Sequence, residues 1–164
     1  VQLCAFRVGE QEYAVDLMRV EEILRPPPVT PLPRAPAVVE GVAHLRGAVV
    51  PVVDLRRCLG APLPEVAGRR ERLLVCLLGR RRVALRVDAV LEVMRVARAD
   101  LRPAPPLSVE AGTPFVVGVC GSPERLRLLL DVKVLLAAGG TAGGPAGGGG
   151  RVAPRGEPGG GWQP

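Results

Sequence analysis

Aromatic side chains are nearly missing: two Phe, one Tyr and one Trp make up 2% of the 164 residues. Val, Leu and Ala must therefore fill the interior, which favours β-rich packing of branched side chains. A single histidine, His44, and four cysteines without a CxxC pair leave a zinc site almost no ligands. Cys4, Cys76 and Cys120 stand inside apolar runs, where a buried reduced thiol is expected; Cys58 lies apart from them. No run approaches the roughly 18 apolar residues of a membrane helix, and no signal peptide is visible. A cytoplasmic protein without direct membrane insertion is expected. GxGxxG, P-loop, HExxH and GxSxG motifs are all lacking, so no cofactor or metal is expected. Carboxylates are scattered rather than paired, and His44 has no neighbouring Ser or Cys to activate. It reads as a strand histidine near a turn. These absences describe a recognition module, not an enzyme.

What is present begins with apolar content of 48%, ample for one domain or two very small subdomains sharing a core. The formal charge is +6, and nearly every cation is Arg, with Lys133 the sole lysine. Abundant Arg, Ala, Gly and Pro fit a coding bias as well as selection for binding, so charge alone names no partner.

Residues 41–60 organise the chain. Two apolar runs, Gly41–Leu45 and Ala48–Val53, meet at Arg46-Gly47 and predict a β-hairpin. The second run is apolar on both faces, as in a strand buried from two sides. Pro51 cannot donate to a ladder and is expected at an edge or bulge. Asp54 then caps a short helical turn, Leu55–Leu59, ended by Gly60. Arg46 at the hairpin tip is either a solvated turn residue or a fixed guanidinium that meets a carboxylate or a partner.

Before this stretch, Val1–Val8, Gly9-Glu10 and Glu12–Leu17 read as strand, turn, strand, and Val20–Leu24 as a further short strand. Six prolines keep residues 25–36 out of regular structure. A PxxP match there leads straight into the hairpin, and use as an SH3 ligand is not favoured. After it, 60–70 is a loop. Leu73–Leu78 and Val83–Val87 flank a turn with Arg80, Arg81 and Arg82, read as a solvated tip rather than a nucleic-acid patch. Val87–Val96 alternates loosely, 101–114 is a Pro-containing loop, and Phe115–Val119 and Leu126–Leu130 are strands. Asp131–Ala138 suits a terminal helix stopped by Gly139. Residues 139–164 are Gly, Ala and Pro with a lone Trp162, the composition of a disordered tail.

The chain also repeats itself. At an offset of 77 residues, Gly41-Val42 falls on Gly118-Val119 and Asp54-Leu55 on Asp131-Val132. At an offset of 70, Gly9 falls on Gly79, Val20 on Val90, Glu22 on Glu92 and Ile23 on Val93. Two related β halves, about 1–68 and 69–138 of one domain over 1–138, follow from this, each a small barrel against a shared apolar seam. Strand exchange between the halves stays open. Arg46 falls on Pro123, so whatever depends on Arg46 belongs to the first half.

With these residues assembled, a resemblance is evident. Phe6, Gly9, Tyr13-Ala14, Asp16, Val20 and Glu22-Ile23 come first; Thr30, Leu32-Pro33, Ala35-Pro36 and Gly41-Val42 follow. Leu45-Arg46-Gly47 and Val50-Pro51-Val52-Val53-Asp54-Leu55 then form an LRG..[IV]P[IV][IV]DL motif. With a late Val116, Gly118-Val119 and LLLDV..LL, the pattern over 3–137 resembles the CheW-type chemotaxis coupling domain. The resemblance implies an all-β fold of two five-stranded SH3-like barrels with a short C-terminal helix. It implies a non-enzymatic adaptor that joins a methyl-accepting chemoreceptor cytoplasmic tip to the regulatory domain of a CheA-type histidine kinase in membrane receptor arrays. It also implies that Val20, Glu22, Gly41 and Arg46 occupy partner-binding positions. His44, where the family commonly has Asn, Pro26–Pro28 and the Gly-rich tail depart from the pattern.

An Arg46–Glu22 ion pair is expected, because a guanidinium beside valine-rich strands needs a carboxylate and the resembling family has an acid at Glu22. Glu92, facing Pro123 in the repeat, is expected to be solvated. The rival reading is a basic β-barrel that binds nucleic acid. It needs stacking aromatics, and Phe6, Tyr13 and Phe115 are few and in apolar context. No nucleic-acid partner is therefore expected.

Overall fold

The computed structural model describes residues 1–104 and 115–142, with side chains described as far as Ala137. Eleven strands are described: β1 Gln2–Val8, β2 Gln11–Asp16, β3 Val20–Leu24, β4 Val39–Leu45, β5 Ala48–Asp54, β6 Arg72–Leu78, β7 Arg81–Val87, β8 Ala89–Arg95, β9 Arg102–Pro103, β10 Val116–Ser122 and β11 Arg125–Leu130. Two helices accompany them, α1 Leu55–Leu59 and α2 Val132–Ala142. One sheet runs β3-β6-β7-β5-β4, and the other runs β8-β1-β2-β11-β10-β9. The fold is all-β with two barrel-like sheets, and the second has six strands because Arg102–Pro103 adds a two-residue edge inside what reads as a loop.

Neither sheet comes from one half of the chain. The opening hairpin β1–β2 pairs parallel with β11, and the equivalent hairpin β6–β7 pairs parallel with β5. Ala14 opposite Leu129 matches Ala84 opposite Val52 at the offsets of the repeat. Bulges repeat as well: Val20/Glu22 in β3 matches Val90/Glu92 in β8, and Val39/Gly41 in β4 matches Val116/Gly118 in β10. Each half thus lends its first hairpin to the other. No local pattern in the chain records that exchange.

The exchange explains where the core lies. The largest cluster takes Cys4, Phe6 and Val15 from one sheet, Val53, Leu74, Cys76 and Leu85 from the other, and Leu55 and Leu135 from the helices. That is the apolar seam. Smaller clusters fill the two barrels, Val50, Val52, Leu73 and Val75 in one and Leu3, Ala14 and Cys120 in the other. β5 is buried from two sides, since Val53 faces the seam while Val50 and Val52 face the barrel interior.

Three local expectations need correction. Pro51 is neither on an edge strand nor at a bulge; β5 lies between β4 and β7, and the ladder to β7 begins one residue later, at Val52, so no donor is missed there. Arg81 and Arg82 belong to β7 and pair opposite Leu78 and Leu77. Gly139 does not stop α2, which continues to Ala142. A helical glycine costs only about 1 kcal/mol relative to alanine, so it weakens a helix without forbidding it. The remaining residues assigned to a tail, and 105–114 of the Pro-containing loop, lie outside the described residues.

All four cysteines are free and buried. Burial pushes the Cys58 thiol up to about 12, helped by the charge of Asp54, and the Cys76 thiol likewise to about 12, with Cys4 adjacent. Such thiols are poor nucleophiles. A colorimetric thiol reagent at mildly alkaline pH is therefore expected to leave all four unreacted in the native protein and to modify all four in denaturant. Rapid native reaction of Cys4, Cys58 or Cys76 would reveal local opening of the seam, and of Cys120 an opening of the second barrel.

Candidate partner-binding site

The β4–β5 hairpin turns on Arg46 and Gly47, both left-handed at φ 50 and 78. Two positive φ values in a two-residue loop suit Asn or Gly, and an arginine there is strained by about 1–2 kcal/mol. The side chain at this strained position has a partner. Arg46 Nη2 donates to Glu22 Oε1 at 2.8 Å, as the sequence predicts. Its side chain is 81% exposed and that of Glu22 30%, so the guanidinium is held without being covered.

The pair also closes a barrel. Glu22 lies on β3 and Arg46 follows β4, the two edges of the five-stranded sheet. Laid flat, those edges would stand about 19 Å apart, four intervals of about 4.8 Å. A 2.8 Å contact across them requires the sheet to curl, and the ion pair clasps its edges. Beside it, the bulge at Glu21 sends that carboxylate to Arg82, which binds it through Nε at 2.7 Å and Nη2 at 3.0 Å. Arg82 is thus paired rather than simply solvated, and its hydrogen bonds hold the Glu21 carboxyl below its usual range. Val20, at the start of β3, is half-buried and packs against the seam cluster.

Gly41 plays a different part from the other three residues. It is buried in β4, and an added Cβ would lie 2.1 Å from the Thr30 carbonyl oxygen. Thr30 and Val42 exchange both backbone hydrogen bonds, at 2.8 and 2.9 Å, which pins the Pro-rich crossing to β4. Gly41 is what lets the two backbones meet. It does not present itself at the surface.

A buried charge network lies on the other side of the same bulge, and sequence reasoning missed it. Glu40, the extra residue between Val39 and Gly41, receives Arg86 Nε at 2.7 Å and Nη2 at 2.8 Å. Arg86 Nη1 donates to Glu71 Oε1 at 2.9 Å. Glu71 Oε2 lies 3.5 Å from Arg56 Nη1, and Arg56 grips Asp54 with two bonds of 2.9 Å. Asp88 joins Arg56 at 3.3 Å and accepts the Gly9 amide at 2.6 Å, tying the β1–β2 turn to the other sheet. Burial opposes charge on Arg86 and Arg56, but their carboxylate partners outweigh it and leave both pKa values raised. The available signal was an arginine inside an apolar strand run, Val83–Val87, and a second just after Asp54-Leu55.

The second half solves its own charges from a different strand. Glu92 is not simply solvated: Arg127 Nη1 of β11 donates to it at 2.6 Å, and Arg127 Nε donates to Glu12 at 2.8 Å. Arg127 and Arg125 together hold the Glu12 carboxyl below its usual range. Stacking rings are unavailable among the described residues, since Phe6, Tyr13 and Phe115 are all buried. His44 is exposed on β4 opposite Val49.

The CheW-like domain model matches residues 2–139. The chain belongs to the CheW-like family. It is 40% identical over 131 residues to the chemotaxis protein CheW of Rhizobium meliloti (strain 1021), covering 80% of this chain and 84% of that protein. Protein FrzA of Myxococcus xanthus is 38% identical over 136 residues, 81% of this chain and 84% of its own length. Among solved structures, the scaffolding protein TtCheW from Thermoanaerobacter tengcongensis superposes with a TM-score of 0.74 at 26% identity, covering 82% of this chain and 90% of that one. The CheW-like chain is accordingly a chemotaxis coupling adaptor, and its fold is that of a CheW scaffold. No helix among the described residues is long and apolar enough to cross a membrane.

Proposed function

We propose that this CheW-like chain bridges a chemoreceptor cytoplasmic tip and the regulatory domain of a CheA-type histidine kinase, at membrane-associated receptor arrays and without chemistry of its own. The observation that carries the reading is the Arg46–Glu22 clasp, a guanidinium held at 2.8 Å from its carboxylate while 81% exposed. A solvated pair of this kind contributes only about 0.2–1 kcal/mol to folding, so its main effect is to fix the hairpin tip for a partner. Val20 beside it offers part of an apolar wall at the seam, the kind of surface that takes a helical hairpin tip. The absence of an enzymatic role fits a molecule whose buried carboxylates, Asp54 and Glu71, are engaged by arginines and whose thiols are buried.

The test is capture of receptor tips and kinase into a ternary complex by purified protein. Arg46→Ala and Glu22→Ala are expected to stay folded while each weakens assembly severalfold. In a double-mutant cycle the two losses should be less than additive. Fully additive losses would mean that each residue meets a partner independently, and the clasp would lose its role. Val20→Asp is expected to fold with a lowered Tm and to lose receptor capture. Normal capture by that folded variant would remove Val20 from the site.

A further inference from the structure

We propose that a second surface, lined by neither Arg46 nor Glu22, takes an acidic polypeptide segment of a partner protein. Two grooves adjoin there, about 480 Å³ and about 640 Å³, and they share Gly68, Arg69 and Glu71 as a common wall. Arg7 and Arg70 line the first groove, and Arg25 and Arg72 the second. Among the described residues, none of these five arginines meets a carboxylate, whereas Arg46, Arg56, Arg82, Arg86, Arg125 and Arg127 all do.

The acids in the walls are already committed. Glu71 binds Arg86 and Arg56, and Asp88 binds Arg56. The network beneath holds four carboxylates, Asp54, Glu71, Asp88 and Glu40, against two guanidiniums, so five rim arginines overcompensate it. The display is also fixed in place. Buried Glu71 accepts the Gly68 amide at 2.7 Å, and Arg72 donates to the carbonyls of Arg69 and Glu71 at 3.1 and 2.7 Å. A turn anchored to a buried network presents its arginines with less ordering cost than a free loop would.

The chemistry of the walls selects the class of partner. Guanidiniums bind carboxylates bidentately, and spread over two adjoining grooves they suit several acids along one chain. Apolar side chains stand between them: Leu63 is 51% exposed and Val66 79%, and Pro26–Pro28 line the second groove. Those would receive the apolar residues of an acidic segment. A nucleic-acid strand would call for stacking rings, and the lining holds none.

The experiment uses the full chain and a fluorescent peptide of alternating glutamate and leucine, read by anisotropy at low salt. It involves neither kinase nor receptor, so its failure leaves the coupling role untouched. Arg69→Glu with Arg70→Glu is expected to weaken binding about tenfold or more, in keeping with a steep electrostatic contribution. Arg80→Glu with Arg81→Glu, at the exposed β6–β7 turn and the first residue of β7, changes net charge equally and should leave binding nearly unchanged. A peptide with glutamine for glutamate should bind weakly. Should the doubly reversed loop unfold, Arg69→Gln alone serves, with a severalfold loss expected. Equal losses from both reversals, or no binding of the acidic peptide, would overturn the proposal. So would tighter binding of a single-stranded oligonucleotide or a phosphatidylglycerol vesicle through the same arginines.

Discussion

Glu71→Ala is expected to lower folding stability by about 3–5 kcal/mol, the range for removing one partner from a buried ion network. The side chain is 4% exposed, and three groups depend on it. Arg86 Nη1 loses its acceptor at 2.9 Å, Arg56 loses a carboxylate at 3.5 Å, and the Gly68 amide loses its acceptor at 2.7 Å. Arg86 keeps Glu40, and Arg56 keeps Asp54 and Asp88, so the expected loss stays within that range. Urea unfolding measures it as a lowered midpoint at constant m. Arg82→Ala provides the contrast, because its pair with Glu21 is exposed and the midpoint should hardly move. If Glu71→Ala shifts the midpoint no more than Arg82→Ala does, the buried network adds little to the stability of the fold. Replacing Glu40, Glu71 and Arg86 together by apolar residues should cost less than Glu71→Ala alone, since none of the three charges is then stranded by loss of its partner.

How much of this was legible in the chain depends on how far apart the partners lie. The hairpin at Arg46-Gly47 could be read because turn and flanking valines are neighbours. The Glu22–Arg46 pair needed the family pattern as well, since 24 residues separate the two. The Glu40–Arg86 and Glu71–Arg86 bonds span 46 and 15 residues and join charges that look like ordinary strand polar positions. Nothing local marks them. Exchange of hairpins was equally silent, because parallel pairing of β5 with β7 and of β11 with β2 leaves no turn between the paired strands. Glu92 is exposed, as expected, but also paired, and the pairing is silent in the sequence for a specific reason. The repeat offset was asked to supply an arginine at the hairpin turn, while the second half draws its arginine from within β11.

Gly41→Ala is expected to cost about 1–3 kcal/mol, the usual range for overpacking, and to impair coupling by moving a segment rather than by touching a partner. The new methyl would sit 2.1 Å from the Thr30 oxygen and 2.7 Å from its carbonyl carbon, both backbone atoms that cannot rotate away. The crossing must then lift from β4, and the Thr30–Val42 bonds open. Gly118→Ala, the repeat counterpart, meets the Arg102 oxygen at 3.1 Å and should be milder. Hydrogen exchange at the Thr30 and Val42 amides reads the mechanism directly: both should lose protection in Gly41→Ala while the β6–β7 ladder keeps its own. Loss of receptor or kinase capture with those two amides still protected would place Gly41 in a partner contact, against its burial. Loss of capture together with loss of protection at both amides would make Gly41 the residue that seats the Pro-rich crossing on β4.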